Sequence, residues 1–149
     1  DAIKISDIFK DGQYVDIHGI TKGKGFQGTV KRFGVKIRQH KSEKVKRGVG
    51  TLGPWTPKHV LFSVAQPGKM GFHSRVEYNK WLMKISHDMN EINPKDGFVN
   101  YGFVKNDYIL VKGSIPGPVK RPVVLTEPIR PHYKQEHAEI QYVSLSSKQ

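Results

Sequence analysis

Alternating apolar and polar residues predict short β-strands along most of the chain. Residues 14–21 are rich in β-branched and aromatic side chains and follow the turn signal Asp11-Gly12. The same pattern predicts strands at residues 29–35 and 59–65. Residues 76–85 also alternate, but their Leu, Met and Lys side chains favour helices, so a helix is the alternative there.

The second half of the chain continues this pattern. Two apolar runs flank Lys105-Asn106-Asp107 and predict a hairpin, and the Pro- and Gly-rich joint at residues 113–118 marks a turn. The polar, proline-bearing segment 127–139 is expected to wrap the surface. Such spacing predicts a mostly β protein, an antiparallel barrel or sandwich without βαβ units. The predicted strands in this half are residues 100–104, 108–112, 122–126 and 140–145.

Composition narrows the class of partner. The chain has 149 residues, enough for one domain, and its 25 Lys and Arg against 13 Asp and Glu give a net charge of +12. A polyanion such as nucleic acid is the expected partner, and no apolar run approaches the roughly 20 residues that span a bilayer, so no membrane partner is expected. The absence of cysteine excludes disulfides and thiolate metal sites and fits a reducing compartment. Because Asp1 opens the chain, we expect a processed protein or, preferably, a piece of a longer one.

The positive charge is concentrated in residues 22–58. This segment holds eleven Lys and Arg against one acidic residue, Glu43, whereas the rest of the chain holds 14 cations and 12 anions. A solvated face or a disordered tail is the alternative, but such tails lack the large apolar residues, such as Phe26 and Ile37, that are interleaved here. Its glycines permit sharp turns and close approach to a ligand. We therefore predict a binding element, with much of residues 37–54 forming an extended arm that is ordered only on its partner.

Gly23, Gly25 and Gly28 satisfy the dinucleotide-binding pattern G-x-G-x-x-G. That site needs a helix to begin at the loop, and the following residues are poor helix formers. Glycines among lysines more simply allow the backbone to lie against phosphates. The prediction is a phosphate-contacting stretch and no cofactor.

Neither the histidines nor the carboxylates form a catalytic or metal-binding pattern. The seven histidines contain no H-E-x-x-H motif, and Asp16 and His18 have no accompanying nucleophile. Trp81 lies in a periodic apolar stretch and is predicted to be in the core. A lone tryptophan such as Trp55 is also usually in the core, but Pro54, Pro57 and Gly53 favour a rigid loop tip that could stack on a base.

Four blocks taken together resemble a known family. They are TKGKGFQGTVKRFGVK from Thr21, GTLGPWTPKHV from Gly50, GKMGFHSRVEYNK from Gly68 and VKGSIPGPVKR from Val111. In type and order they resemble the large-subunit ribosomal protein L-three family, in its archaeal and eukaryotic form, over about residues 12–131. Members of that branch are more than twice as long, so the chain is similar to their C-terminal portion. Phe33 departs from the Trp expected at its position.

The resemblance implies a cytoplasmic, ribosomal, non-enzymatic protein that binds large-subunit rRNA beside neighbouring large-subunit proteins. It implies a partial antiparallel translation-protein-type β-barrel with a long basic extended loop that runs toward the peptidyl transferase centre. By position, residues 1–36 would supply barrel strands and the glycine-rich stretch that contacts rRNA. Residues 37–58 would form the basic extension, with Trp55 as the tryptophan finger of that branch. Residues 59–126 would supply further barrel strands, and residues 127–149 would form a C-terminal surface segment.

The charge pattern and the resemblance together predict a set of RNA-binding residues. The alternatives to this function are an enzyme of RNA or nucleotide metabolism that uses the glycine-rich loop for phosphate, and a free-standing β-barrel nucleic-acid module. The predicted RNA-binding residues are Lys22, Gly23, Lys24, Gly25, Gly28, Lys31, Arg32, Lys36, Arg38, His40, Lys41, Lys44, Lys46, Arg47, Trp55, Lys58, His73 and Arg75.

Overall fold

The computed structural model describes residues 3–42, 44–131 and 139–146. The chain forms two compact units: a sheet unit, Asp1–Thr21 with Ser74–Gln149, and a basic unit, Lys22–His73. No helix among the described residues is long and apolar enough to cross a membrane. The elements are β1 (Tyr14–Ile20), β2 (Phe26–Gln27), α1 (Thr29–Phe33), β3 (Gly68–Lys69), β4 (Ser74–Ser86), β5 (Tyr108–Val111) and β6 (Val124–Thr126), with 3-10 turns at Ile5–Asp7 and Met89–Glu91.

The sheet unit is built on one antiparallel sheet with the strand order β5-β4-β1-β6. The long strand β4 pairs with β1 from Ile20 opposite Ser74 to Tyr14 opposite Trp81. Its far end pairs with β5. The strands β5 and β6 therefore lie at the two edges, and the described strands form an open sheet.

The core of this unit lies against β1 and β4. Val15, Ile17 and Leu82 are fully buried, and Phe9 packs with them. The buried apolar side chains supply most of the favourable free energy of such a unit. Further partly buried side chains packed against this cluster are Ile5, Ile85, Val111, Val123 and Leu125.

A β-bulge opposite β1 is held by a buried carboxylate. The register between β1 and β4 shifts between Val15 and Ile17. Asp16, which is fully buried, accepts hydrogen bonds from the backbone N–H of Asn79 at 2.8 Å and of Ile129 at 3.0 Å. Two N–H donors offset the cost of burying this carboxylate. Asp16 is thus a structural group that ties β4 to the chain after β6.

Several sequence predictions are confirmed in the sheet unit. The mostly β class is confirmed, and strands occupy the expected places at β1, β4 and β5. The helical alternative for residues 76–85 is wrong, because this stretch lies within β4. The strand expected at residues 122–126 is shorter and forms β6. Trp81 is buried in this unit as predicted.

The strand predicted at residues 29–35 is wrong, because Thr29–Phe33 forms the helix α1. Gly28 caps its start in an extended conformation, and Gly34 ends it in the left-handed conformation with φ 69°. Thr29 is buried and its hydroxyl donates to the backbone carbonyl of Arg47 at 3.1 Å. The two glycines and this tertiary contact override the strand preference of the β-branched residues.

The hairpin predicted around Lys105-Asn106-Asp107 is also wrong. The strand β5 pairs with β4, and residues 100–104 contain no strand. The side chain of Asn93 occupies both backbone groups of Val104, with its Nδ2 donating to the carbonyl and its Oδ1 accepting from the N–H, each at 2.9 Å. The backbone N–H and carbonyl of Val104 therefore already have hydrogen-bond partners and do not pair with a neighbouring strand in a hairpin.

Two other predicted strands are irregular chain. Residues 59–65 form turns, and within them Phe62 is fully exposed instead of facing a core. Residues 140–145 contain no strand, but Ile140, Tyr142 and Val143 help to line an apolar cavity of about 410 Å³. The surface path predicted for residues 127–139 lies partly outside the described residues, since 132–138 are not among them.

Candidate nucleic-acid interface

The basic unit carries nearly all of the chain's net charge. Twelve Lys and Arg lie in Lys22–His73, and its one acidic residue is Glu43. Lys69 is the cation that lies beyond the segment considered above. The described part of this unit contains no carboxylate that could neutralise these cations. A surface with such an excess attracts a polyanion and releases its counterions on binding.

The glycine-rich stretch is one side of a short antiparallel ribbon. Phe26 pairs with Lys69 in β2 and β3, and the pairing continues through the N–H of Lys24, which donates to the carbonyl of Met70 at 2.9 Å. The N–H of Met70 in turn donates to the carbonyl of Gly25 at 2.9 Å. The ribbon fixes the backbone that carries the lysines.

The close approach of the two sides of the ribbon requires glycine at one position. Gly71 has φ 73°, and a Cβ there would lie 2.0 Å from the carbonyl oxygen of Lys22. Any side chain would therefore force the two sides apart. Gly71 thus serves the protein's own packing.

Arg32 is bound within the basic unit. Its Nε donates to the carbonyl of Lys69 at 3.2 Å and its Nη1 donates to the carbonyl of Gln66 at 2.7 Å. The guanidinium carbon lies 4.9 Å from the centroid of the Phe33 ring. Arg32 therefore connects α1 to the chain around β3, so its first role is structural.

The basic extension folds back on itself. The N–H of Arg38 donates to the carbonyl of Lys46 at 3.0 Å, and its Nη2 donates to the carbonyl of Val49 at 2.7 Å. A turn is closed by the N–H of Ser42 donating to the carbonyl of Gln39 at 2.9 Å. The fold of this segment presents exposed cations on an irregular loop.

Trp55 lies at an exposed loop tip, with 82% of its surface accessible. The Nζ of Lys58 lies 5.1 Å from the centroid of its ring. A cleft of about 310 Å³ adjoins the ring and is lined also by Leu52, Pro54 and His59. The core interpretation of Trp55 is thus wrong, and the ring is placed where a planar group could stack on it.

The predicted binding residues occupy both units. All except Arg75 lie in the basic unit, whereas Arg75 lies on β4 of the sheet unit, with its Nη1 3.0 Å from the carbonyl of Ser74. Arg32 and His73 are partly buried. The exposed side chains among the predicted residues are those of Lys22, Lys24, Lys31, Lys36, Arg38, His40, Lys41, Lys44, Lys46, Arg47, Trp55, Lys58 and Arg75.

Sequence reasoning missed the partner strand of the glycine-rich stretch. Phe26, Lys69 and Phe72 are exposed in the basic unit beside the predicted residues. The GKMGF block beginning at Gly68 contained the signal, since it repeats the glycine and lysine pattern of the stretch it pairs with. Because the cationic segment was defined only as far as Lys58, Lys69 was not among the predicted RNA-binding residues.

The geometry changes one ground for rejecting a dinucleotide site. A helix does begin after Gly28, so the expectation that these residues would not form one is wrong. However, α1 has five residues and follows a two-residue antiparallel strand, whereas the dinucleotide fold needs a βαβ unit. The loop therefore remains unlike that site.

Two of the described histidines lie close to polar side chains. The Nε2 of His18 lies 3.1 Å from the Thr126 hydroxyl, and the Nδ1 of His87 lies 2.7 Å from a carboxylate oxygen of Asp107. No group of three or more His, Asp or Glu within residues 3–42, 44–131 and 139–146 could hold a metal ion. His132 and His137 lie outside those ranges.

Together, the open antiparallel sheet and the compact cationic unit define a mostly β protein whose positive charge is concentrated in one unit. The chain belongs to the ribosomal protein L3 family, whose model matches residues 1–149. This confirms the resemblance drawn from the four sequence blocks.

Individual relatives agree with the family model. The chain is 53% identical to the large ribosomal subunit protein uL3 of Methanobrevibacter smithii, over 99% of this chain and 45% of that protein. It is 53% identical to uL3 of Methanococcus aeolicus, again over 99% of this chain and 45% of that protein. It is 54% identical to uL3 of Sulfurisphaera tokodaii, over 99% of this chain and 43% of that protein. The chain spans less than half the length of these relatives.

Proposed function

We propose that this chain is an rRNA-binding part of a structural, non-catalytic constituent of the large ribosomal subunit. The observation that carries the proposal is the composition of the basic unit, which contains twelve cations and one acidic residue. The chain that contains this unit belongs to the ribosomal protein L3 family. Its lysines and arginines neutralise phosphates, and its ribbon holds the backbone close to them. The protein acts in the cytoplasm, on the ribosome, beside neighbouring large-subunit proteins.

The predicted division of labour within the chain forms part of this proposal. Residues 37–58, with Trp55 at the tip, support assembly and the peptidyl transferase centre. Residues 1–36 and 59–126 contribute to a translation-protein-type β-barrel. Residues 127–149 form a C-terminal surface segment. Two features support the barrel: the sheet is open at β5 and β6, and relatives extend well beyond this chain. Strands from the remainder of such a protein would extend the sheet at these edges.

Charge reversal in the extension tests the proposal. Lys46 and Arg47 are exposed, and the contacts described above use only their backbone carbonyls, so Lys46→Glu with Arg47→Glu leaves those hydrogen bonds intact. We expect the double variant to co-sediment with large subunits after a high-salt wash at a small fraction of the wild-type level. The matched control is Lys95→Glu with Lys105→Glu, which reverses two exposed lysines of the sheet unit. Equal retention of both double variants would contradict the assignment.

The role of Trp55 has a separate test. Because its ring is exposed, Trp55→Ala removes no core packing, and we expect incorporation into the subunit to remain near the wild-type level. Peptide-bond formation or tRNA accommodation should slow, measured as single-turnover rates on purified subunits. Equal losses of subunit incorporation and of reaction rate would instead indicate that Trp55 has a purely structural role.

A further inference from the structure

Three side chains in and next to the β2–β3 ribbon form a surface that the predicted set of binding residues does not include. Phe26 and Lys69 are directly opposite each other in the antiparallel register, so their side chains project from the same face. The Nζ of Lys69 lies 6.0 Å from the centroid of the Phe72 ring, so a second aromatic ring lies close to the lysine. We call Phe26, Lys69 and Phe72 the ribbon platform.

Both rings of the platform are accessible. Phe26 is 77% exposed and Phe72 is 56% exposed. Phe72 adopts φ 54°, a left-handed backbone that a bulky side chain rarely takes. Such a conformation persists only where the surrounding structure imposes it and is concentrated at ligand-binding sites. The backbone thus holds an apolar ring at the surface at a cost in stability.

The platform is supported by the rest of the ribbon. Arg32 donates hydrogen bonds to the carbonyls of Gln66 and Lys69, which fixes the chain around β3. Gly71 lies against the carbonyl of Lys22, so the two sides of the ribbon stay in close contact. A surface that is already ordered loses less conformational entropy on binding.

We propose that the ribbon platform stacks an unpaired RNA base on Phe26, with Lys69 at the adjoining phosphate and Phe72 beside the lysine. The inference rests on the proposed function and adds a base-contacting site to a unit otherwise described by phosphate contacts. Charge complementarity favours RNA as the occupant, since the platform belongs to the unit that carries twelve of the 25 cations. Aromatic rings interleaved with cations are the recurring means of holding single-stranded nucleic acid.

A pair of probes separates base stacking from phosphate contact. We would measure binding of the full chain to a fluorescein-labelled 12-nucleotide oligoadenylate and to an abasic strand of the same length. Phe26→Ala should weaken binding to oligoadenylate about tenfold, the equivalent of one base stack, and leave binding to the abasic strand unchanged. Phe26→Trp should restore the loss. Lys69→Gln should weaken binding to both strands and reduce the slope of log K against log salt by about 0.7.

Phe62 provides the matched control. It belongs to the same unit and is fully exposed, but it lies in a turn outside the ribbon. Phe62→Ala should bind both strands as the wild type does. The platform is contradicted if Phe26→Ala and Phe62→Ala have equal effects, or if Phe26→Ala weakens binding to the abasic strand as much as to oligoadenylate. Wild-type protein that binds neither strand, nor large-subunit rRNA, would instead overturn the proposed function. Thermal unfolding of each variant identifies any loss of fold.

Discussion

The two tryptophans of the chain occupy opposite environments. Trp81 is nine-tenths buried on β4, where the Nζ of Lys112 lies 5.6 Å from its ring centroid. Trp55 is exposed at a loop tip of the other unit. A buried aromatic contributes through apolar burial and packing, whereas an exposed one contributes little to stability and is available to a partner.

This contrast predicts different costs for the same substitution. Trp81→Ala should lower the free energy of unfolding by about 3–5 kcal/mol, because it removes a large buried ring. Trp55→Ala should change it by less than about 0.5 kcal/mol. Urea unfolding followed by circular dichroism measures both. A comparable loss for the two variants would contradict the burial described for them.

Arg32 and Lys31 are adjacent cations with different surroundings. Arg32 is partly buried and bound to two backbone carbonyls, whereas Lys31 is exposed on α1. Hydrogen bonds from a charged donor contribute about 1.5–3 kcal/mol each at most, and solvent exposure lowers that value. Sequence reasoning gave both residues the same role because charge alone does not reveal what a side chain contacts.

Neutralising each of these cations in turn distinguishes structural support of the basic unit from direct contact with RNA. Arg32→Gln should lower the free energy of unfolding by about 1–2 kcal/mol, since the two carbonyls lose their donor. Lys31→Gln should leave stability unchanged and reduce the salt slope of rRNA binding by about 0.7–0.9. Chemical denaturation and salt-titrated filter binding give the two readouts. If Arg32→Gln changed only the slope, Arg32 would be a phosphate ligand and not a support.

At the level of elements, α1 depends on its flanking glycines. Gly34 ends the helix with φ 69° and has open space around its Cα, so a methyl group there would meet no atom. Gly34→Ala should therefore cost about 1–2 kcal/mol from the backbone conformation alone. Gly50, which also has open space but no positive φ, is the control, and Gly50→Ala should be nearly neutral. Equal unfolding midpoints would show that α1 does not require the left-handed cap.

The elements also show what the sequence could predict and what it could not. Strands β1 and β4 were predictable because β-branched and aromatic residues with partial alternation favour strands. Their burial does not alternate, since Val15, Asp16 and Ile17 are buried in succession. The helix α1 was not, because its formation depends on glycine caps and on Thr29 reaching the carbonyl of Arg47. The missed pairing of β5 has a similar cause, since the Asn93 side chain satisfies Val104 from eleven residues away. Local preference does not encode such tertiary contacts.

For the candidate site, the sequence located the charge but not the geometry. The cationic segment and the exposed Trp55 follow from residue types and turn signals alone. The antiparallel pairing of Phe26 with Lys69 joins residues more than forty positions apart, so the pattern around either residue alone does not reveal it, and only the similarity of the two glycine- and lysine-bearing blocks pointed to it. The internal hydrogen bonds of Arg32 and Arg38 escaped prediction for the same reason.

At the level of the whole molecule, each unit has a distinct composition. The sheet unit contains a small apolar core and nearly balanced charge, and the basic unit contains nearly all of the net charge of +12. A polyanion that covers the basic unit would offset repulsion among its cations. The central claim of the proposal is therefore that RNA binding is mainly electrostatic and depends mainly on residues 22–73.

The most direct test of that claim is the salt dependence of binding to large-subunit rRNA. Log K should fall steeply and linearly with log salt for the wild-type chain. Lys46→Gln with Arg47→Gln should make the slope shallower by about 1.4–1.8, because two phosphate contacts are lost. Lys95→Gln with Lys105→Gln, which removes the same charge from the sheet unit, should leave the slope unchanged. Equal slopes for the two double variants, or binding that does not respond to salt, would contradict the account.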